Sequence, residues 1–329
     1  MVSRKDVAQL AGVSVAVVSY VLNGKNNVKE ETRNRVLAAM QELKYEPNLL
    51  ARSLKTQRTQ QLAVFVNYLG NPFEAGILLR LEAAARQEGY LVFFQTYTPD
   101  LEQPLISALR GRVDGLVLLG QQLEYETFQR LKALDVPVLS VTQSPMLQEW
   151  GIPCIDLDWV KQYREAILFL KNKGHHRIAY MTDTVSGCYH LHRLRAFQEA
   201  IRLEGLALPE QLILDGGGKV ETATPMFHDF IEQNASNLPM SALVCSNDLM
   251  AAAVVDACKT NSIKVPEQLA IIGSEDILMT QHTDPKLTVI HYPREMLGTL
   301  AMNMMKQLLL KSPMESFTVE GELLPRGTA

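Results

Sequence analysis

Cysteine is scarce in this chain: Cys154, Cys188, Cys245 and Cys258 are the only four among 329 residues, and none forms a CxxC pair. That spacing argues against a disulfide framework and leaves free, mostly buried thiols as the expectation. Long apolar runs are missing too. No stretch approaches the ~18–20 residues that span a bilayer. The segment Met1-Val2-Ser3-Arg4-Lys5-Asp6 carries an acid early and lacks an apolar h-region. A secretory signal is therefore not expected, and the product should stay in the cytoplasm. Catalytic signatures are also lacking. There is no GxSxG elbow and no Cys/His nucleophile context, and Gly216-Gly217-Gly218 lacks both GxGxxG spacing and a P-loop lysine. His175-His176 and His190/His192 have no carboxylate or cysteine at ligand spacing, so no metal and no cofactor is expected. Low-complexity tracts are absent. A hydrophobic content of 47% with 21% charged residues is globular, and the length suits two or three domains.

Net positive charge is lacking overall, and a formal charge of −4 alone argues against a nucleic-acid binder. The distribution reverses that argument. Residues 1–60 hold ten Lys/Arg against five Asp/Glu, a net +5, which leaves −9 on the remainder. A basic head on an acidic body confines attraction to phosphate to one end.

That head reads as three short helices. Ser3 and Asp6 form a capping-box-like start, with Val7, Leu10 and Ala11 as the inward face, and Gly12 stops the helix. Ser14 is placed to cap a second helix from Val15 to Leu22, which Asn23-Gly24 ends. A third spans Glu30 to Leu43, with Val36, Leu37, Met40 and Leu43 at helical spacing. Pro47 breaks the pattern, Asn48 can cap a short turn over 49–54, and 55–61 is a polar linker. The first two helices are too short to stand alone. They share an apolar set of Val7, Ala8, Ala11, Val13, Val18, Val21 and Leu22, and Ala8 and Gly12 permit a close corner. A plain helical hairpin fits these residues, and so does a helix-turn-helix that presents its second helix to a major groove.

Beyond Leu62 the texture alternates. Apolar runs at 62–66, 91–95, 115–119, 138–141, 178–181, 212–215, 243–246, 270–273 and 288–291 read as strands. Helical patterns fall at 73–87, 125–134, 160–173, 191–204, 248–260 and 294–310. Continuous apolar strands alternating with helices predict parallel sheets covered on both faces. So many residues exceed one comfortable core, which predicts two similar lobes, with a ligand beyond the strands' C-terminal ends.

The ordered motifs are Asp6-Val-Ala-x-x-Ala-Gly-Val-Ser14, Val18-Ser-x-Val-Leu-Asn-Gly24, Val28-x-x-Glu-Thr-Arg-x-Arg-Val36, Tyr45-x-Pro-Asn48 and Ala51-Arg-Ser-Leu-Lys55. Asn71-Pro-Phe73, Arg112-Val-Asp-Gly115, Val136-Pro-Val138, Gly174-His-x-Arg-Ile178, Arg193-Leu194, Asn247-Asp248, Met250-Ala251, Val265-Pro266 and Ile271-Ile-Gly273 continue them. With these the whole chain resembles the LacI/GalR (lactose/galactose repressor) family of bacterial transcriptional regulators. The resemblance implies an α/β chain in which an all-α helix-turn-helix domain precedes a two-lobed, periplasmic-binding-protein-like, doubly wound α/β domain. The corresponding boundaries are 1–46 for the reader, 47–60 for a hinge helix and linker, and 61–329 for effector binding and dimerisation.

The resemblance also implies roles. Val15, Ala16 and Tyr20 should face base edges, the first two by apolar contact with thymine methyls. Ser14, Ser19, Asn23 and Tyr45 should position phosphates. Leu54 matches the wedge that enters the operator's minor groove, with Lys55 supplying charge beside it. Phe73, Asp158, Arg193, Asn247, Glu275 and Tyr292 match effector-pocket positions. Arg193 can fork onto a carboxylate, phosphate or hydroxyl pair, and Phe73 could stack on a sugar face. Asp158 and Asn247 could equally be helix caps, and Arg193 a surface charge. Several residues depart from the family's habit: Val17 for Thr, Tyr20 for Arg, Lys29 for the Ser that caps the third helix, Glu275 for Asp, and Glu74 for an aromatic. Asp276 could take over the contact made by the usual Asp. The implied function is a repressor without enzymatic activity, a homodimer on palindromic operator DNA, answering to a sugar or sugar derivative. No C-terminal heptads suggest a tetramer. The alternative is a soluble sugar-binding protein or sugar-handling enzyme with no specific DNA affinity.

Overall fold

The computed structural model describes residues 2–22, 27–46, 58–142, 145–183, 191–234 and 237–329. The chain divides into two compact units, Met1–Thr59 and Gln60–Ala329.

The first unit contains α1 (Arg4–Ala11), α2 (Val15–Leu22) and α3 (Glu30–Glu42). The Asp6 carboxylate accepts from the Ser3 N–H at 2.7 Å and from the Ser3 hydroxyl at 2.8 Å, and these bonds lower its pKa. Gly12 adopts a left-handed φ of 64°, and the Val13 N–H then returns to the Ala8 carbonyl at 3.0 Å. This is the αL ending that a residue without Cβ adopts at no steric cost. One small core holds the unit: Val7, Ala8, Ala11, Val18, Val21, Val36 and Ala39. Leu10 and Leu37, expected to face inward, are instead exposed at 46% and 48%. Ala8 and Ala39 lie in that core, and Leu10 and Leu37 are turned out of it. Lys29 stands before α3 without a side-chain cap, as its departure from Ser implies.

The second unit holds two six-stranded sheets. The N-terminal lobe contains β1 (Gln61–Val66), β2 (Leu91–Thr96), β3 (Gly115–Leu119), β4 (Val138–Val141) and β5 (Cys154–Leu157), with α4 (Pro72–Gln87), α5 (Glu102–Leu109), α6 (Tyr125–Ala133) and α7 (Pro145–Glu149) between them. The C-terminal lobe contains α8 (Trp159–Asn172), β6 (Ile178–Thr182), α9 (Leu191–Leu203), β7 (Ile213–Asp215), α10 (Val220–Gln233), β8 (Ala242–Cys245), α11 (Asp248–Thr260), β9 (Ala270–Gly273) and β10 (Thr288–His291). The chain then returns to the N-terminal lobe with α12 (Arg294–Leu309) and β11 (Phe317–Val319), and crosses once more to β12 (Glu322–Leu324). Strand orders are β11-β5-β4-β3-β1-β2 and β12-β10-β9-β8-β6-β7. All pairings are parallel except β10 with β12. Both sheets reverse direction of winding between their first and third strands, β1/β3 and β6/β8, where a doubly wound sheet opens a crevice.

The buried strands owe their form to unbroken apolar runs, such as Leu62–Val66 and Ile178–Met181, covered on both faces. The strand and helix positions expected from the sequence agree with these elements to within a residue or two. The sequence reading missed β5, β11, β12, α5, α7 and α10. Gly298 is what lets α12 lie against α4: a Cβ there would fall 2.5 Å from the Ile77 carbonyl. Cys154, Cys245 and Cys258 are buried free thiols, and Cys188 lies outside the described residues.

The loop after β9 is fixed by one buried acid. Asp248 accepts from the N–H groups of Ser274 at 2.7 Å, Glu275 at 3.2 Å and Ile277 at 2.9 Å. Burial pushes its carboxyl up to about 6 while these donors pull it down. Asp248→Ala strands three buried donors. Urea unfolding of the variant should show a loss of about 3 kcal/mol or more; an unchanged midpoint and slope would show that the loop holds itself.

Candidate DNA-reading surface and effector cleft

The chain bends by 104° between α1 and α2, within the range of a helix-turn-helix corner. The Ser14 carbonyl accepts from Val17 and Val18, and its hydroxyl accepts weakly from the Val17 N–H at 3.4 Å. Burial of Val18 and Val21 turns the opposite face outward, so Ser14, Val15, Ala16 and Tyr20 are exposed and Ser19 is half-buried. Tyr45 is half-buried and packs against the small core. Asn23, Leu54 and Lys55 lie outside the described residues.

In the second unit, groups from both lobes meet at the strand C-termini. Arg193, on α9, lies with its guanidinium 4.3 Å from the centre of the Trp159 ring. It donates to the Ser246 carbonyl and, at 3.2 Å, to Glu275 Oε1. That same oxygen accepts from Asn71 Nδ2 at 3.1 Å. Asn71 belongs to the other lobe, where its Oδ1 caps α4 by accepting from the Phe73 N–H at 2.9 Å. A single carboxylate oxygen thus ties the lobes together. Two further ties lie nearby. Arg294 donates to the Asp276 carbonyl at 3.1 Å, and the Lys219 ammonium sits 4.6 Å over the Tyr68 ring.

The six positions proposed from sequence fare differently. Arg193 and Glu275 are brought together, and Arg193 is no surface charge: its side chain is 16% exposed. Asn247 is close by, bonded through Nδ2 to Asp183 at 3.2 Å, but its Oδ1 caps α11 by accepting from the Met250 N–H. Asp158 likewise caps α8, accepting from Lys161 N–H at 3.0 Å. Phe73 is fully buried in the core cluster, so no face of its ring is free to stack on a sugar here. Tyr292 is also fully buried, edge-on to Trp159 at 4.9 Å, with no partner for its hydroxyl. Asp276 does not substitute for Glu275. Its carboxylate faces Arg326 at 2.6 Å and His291 at 3.0 Å.

Families and relatives agree with this geometry. Residues 4–48 match the model of bacterial regulatory proteins of the lacI family, and residues 167–329 match a periplasmic binding protein-like domain. The HTH-type transcriptional repressor PurR of Aliivibrio fischeri (strain MJ11) is 30% identical, over 100% of this chain and 98% of the relative. The chain belongs to the lacI family. CytR of Escherichia coli (strain K12), another HTH-type transcriptional repressor, is 30% identical over 99% of this chain and 96% of its own length. A lac repressor dimer bound to operator and an anti-inducer superposes with a TM-score of 0.85 at 23% identity, covering 99% and 98% of the two chains. A CelR–cellobiose complex gives 0.73 at 26% identity and 100% coverage of both. As a lacI-family member the protein is a DNA-binding regulator of transcription and not an enzyme. Among its described residues no single helix is long and apolar enough to cross a membrane.

Reasoning from the sequence missed Asn71 and Trp159 in the lacI-family cleft, and the burial of Glu74. Asn71 entered only as part of the Asn71-Pro-Phe73 motif, and its bond to Glu275 is long-range. Trp159 was hidden by its position one residue after a candidate. Glu74 was read as a departure that makes the pocket polar, and what that reading missed is its burial. It is 9% exposed, and its carboxylate accepts a long bond from the Tyr68 N–H at 3.4 Å. Burial raises its pKa to about 7. Gly120 makes room for it, since a Cβ there would meet Glu74 Oε1 at 2.7 Å.

A carboxyl that holds its proton more tightly when folded supports the fold fully below pH ~4.5. That support is lost as pH rises through about 7. Glu74→Gln removes the titration. Its stability relative to the native protein should climb between pH 4.5 and 7.5, by up to about 3 kcal/mol. A difference flat across that range in chemical denaturation would show that Glu74 ionises freely.

Proposed function

We propose that this protein is a homodimeric repressor whose grip on a palindromic operator is set by a small molecule held between the lobes of its second unit. The observation that carries this reading is the presence, in one family member, of an outward α2 face and a cleft whose polar groups converge from two lobes. Residues 1–46 form the reader, 47–60 the hinge helix and linker, and 61–329 the effector-binding and dimerisation domain. Val15, Ala16 and Tyr20 meet base edges, while Ser14, Ser19, Asn23 and Tyr45 hold phosphates. Leu54, with Lys55 beside it, wedges the minor groove at the operator's centre. Effector contacts come from Arg193, Glu275 and Asn247, with Asp158, Phe73 and Tyr292 around the crossings between lobes. A sugar or sugar derivative is the favoured class, in keeping with the cellobiose named for CelR. The protein works in the cytoplasm, where its DNA is.

A reader this small needs two-fold pairing to bind tightly. The edge strand β2 supports a second copy as its partner. Among the described residues it pairs only with β1, and Leu91, Phe93 and Phe94 are 58%, 53% and 54% exposed. Adjacent positions point to opposite faces, so both faces of the strand are uncovered. Binding an effector changes the bonds that join the lobes, and the coupling free energy between cleft and reader follows from that change.

Footprinting on the DNA upstream of its own gene should reveal a palindromic site. Gel retardation on that site should weaken steeply with salt, and Leu54→Ala should bind it more weakly with its fold intact. Full affinity in that variant would remove the wedge, and absence of any preferred site would remove the regulator's operator. Light scattering of a Phe93→Asp/Phe94→Asp protein should give the mass of one chain. A dimer of unchanged dissociation constant would place the interface elsewhere.

A further inference from the structure

Among the described residues of the cleft, acids outnumber enclosed cations. Asp183 and Glu275 come from the C-terminal lobe and Glu74 from the N-terminal lobe. Asp183 accepts from the Ser246 hydroxyl and from Asn247 Nδ2, and Arg193 bonds the Ser246 carbonyl and Glu275, so these groups form one connected set. Glu74 stands on the N-terminal side of the same junction: its carboxylate accepts from the N–H of Tyr68, whose ring meets Lys219 of the other lobe, and the charges of Arg193 and Asp183 act on it. Among the described residues Arg193 is the one cation bonded to this set of three carboxyls, because Arg294 nearby is half-buried and donates to the main-chain carbonyls of Pro72 and Asp276. Lys219 is exposed and engaged by the Tyr68 ring, at the rim.

A second observation points to a missing donor. Glu275 is fully buried, yet its Oε2 has no hydrogen-bond partner. Its other oxygen already receives both Arg193 and Asn71, so the free oxygen lies at the lobe junction with its acceptor capacity unused. Buried acceptors without donors cost free energy, and buried carboxylates without cations cost more. Protons partly answer the deficit here: burial lifts Glu74 to about 7 and Glu275 to about 8. A ligand that brought hydrogen-bond donors and positive charge would answer it fully. A neutral sugar would bring only the donors. A phosphorylated sugar would add negative charge where three acids already face one guanidinium.

We propose that the effector is an amino sugar, whose ammonium group is received between Glu74 and Glu275 while Arg193 and Asp183 take its hydroxyls. This rests on the reading of the cleft as a sugar-effector site and narrows it to a charge class. Glu74 is then a specificity-determining residue, because it is the only acid of the set on the N-terminal lobe and closes over the ligand from that side. Charge-assisted hydrogen bonds favour the amine over the hydroxyl by tenfold or more.

The test is a thermal-shift and calorimetric series on the full-length protein at millimolar ligand. It compares glucosamine, galactosamine and mannosamine with their parent hexoses and with their N-acetyl derivatives, which keep the shape and lose the charge. At least one free amine should raise the Tm and bind about tenfold or more tightly than its parent and its N-acetyl form. Glu74→Gln should abolish that preference without loss of the folded dimer or of DNA binding, and Glu275→Gln should weaken the amine further. Equal or tighter binding of a neutral hexose or N-acetyl sugar overturns the inference and leaves the sugar site standing. An unchanged amine preference in Glu74→Gln overturns it as well. Silence of every free amine also overturns it. A wider panel of nucleosides and phosphorylated metabolites, run on the native and Arg193→Ala proteins, then decides separately whether this cleft binds an effector at all.

Discussion

A guanidinium enclosed between two lobes must be neutralised from several directions, and the cleft is organised around that demand. Arg193 keeps its charge at every physiological pH, raised further by Glu275 and Asp183 beside it against the opposing effect of burial. It meets the demand with a carboxylate, a main-chain carbonyl and an aromatic face. Each of these partners is itself held. Trp159 opens α8 and packs on Tyr163 and Tyr292. Glu275 sits in the loop that Asp248 pins by three N–H groups. Asp248 belongs to the first turn of α11, next to the Asn247 that caps it. A chain of support runs from one helix start to a loop, then to an arginine, and then across to the cap of α4. Buried polar networks of this kind are costly when incomplete and specific when satisfied.

The sequence made the repeating architecture legible because parallel strands covered on both faces leave an unmistakable apolar imprint. Leu62–Val66, Gly115–Leu119 and Ile178–Met181 carry it. The imprint fades where pairing is short or the strand is only partly covered. Phe317–Val319 and Glu322–Leu324 are three residues each, mostly exposed or half-buried, and they are strands only because β5 and β10 lie beside them. Helix α10 was hidden by Pro225 within it, a residue that ordinarily marks a boundary. In the reader, Leu10 and Leu37 misled because they fit the apolar spacing and are nevertheless turned out of the core.

The cleft was legible in part, and by a different route. Arg193, Asn247 and Glu275 stood out through resemblance to relatives. Asn71, Trp159 and the burial of Glu74 did not, because each depends on a neighbour far away in sequence: Glu275 for Asn71, Arg193 for Trp159, and Gly120 for Glu74. Asp158 and Asn247 illustrate a related ambiguity. The same short polar side chain at a strand-to-helix junction can cap or bind, and here both cap. Asn247 does more, since its amide nitrogen remains free to reach Asp183 and the Gly218 carbonyl.

The three passages of the chain between lobes, at Leu157–Trp159, His291–Arg294 and Val319–Glu322, bear on how the molecule is made. Neither lobe is a continuous stretch of gene. As the nascent polypeptide leaves the ribosome, the first lobe emerges without α12 and β11, which are translated only after the second lobe is nearly finished. Until then Leu62, Ile77 and Leu81 lack part of their covering. The second lobe in turn waits for β12 and for Thr328, whose hydroxyl joins Thr288 to the Ile271 carbonyl. Truncation of even the last few codons therefore injures the C-terminal lobe first, and recombination between relatives can exchange the reader cleanly but not one lobe alone.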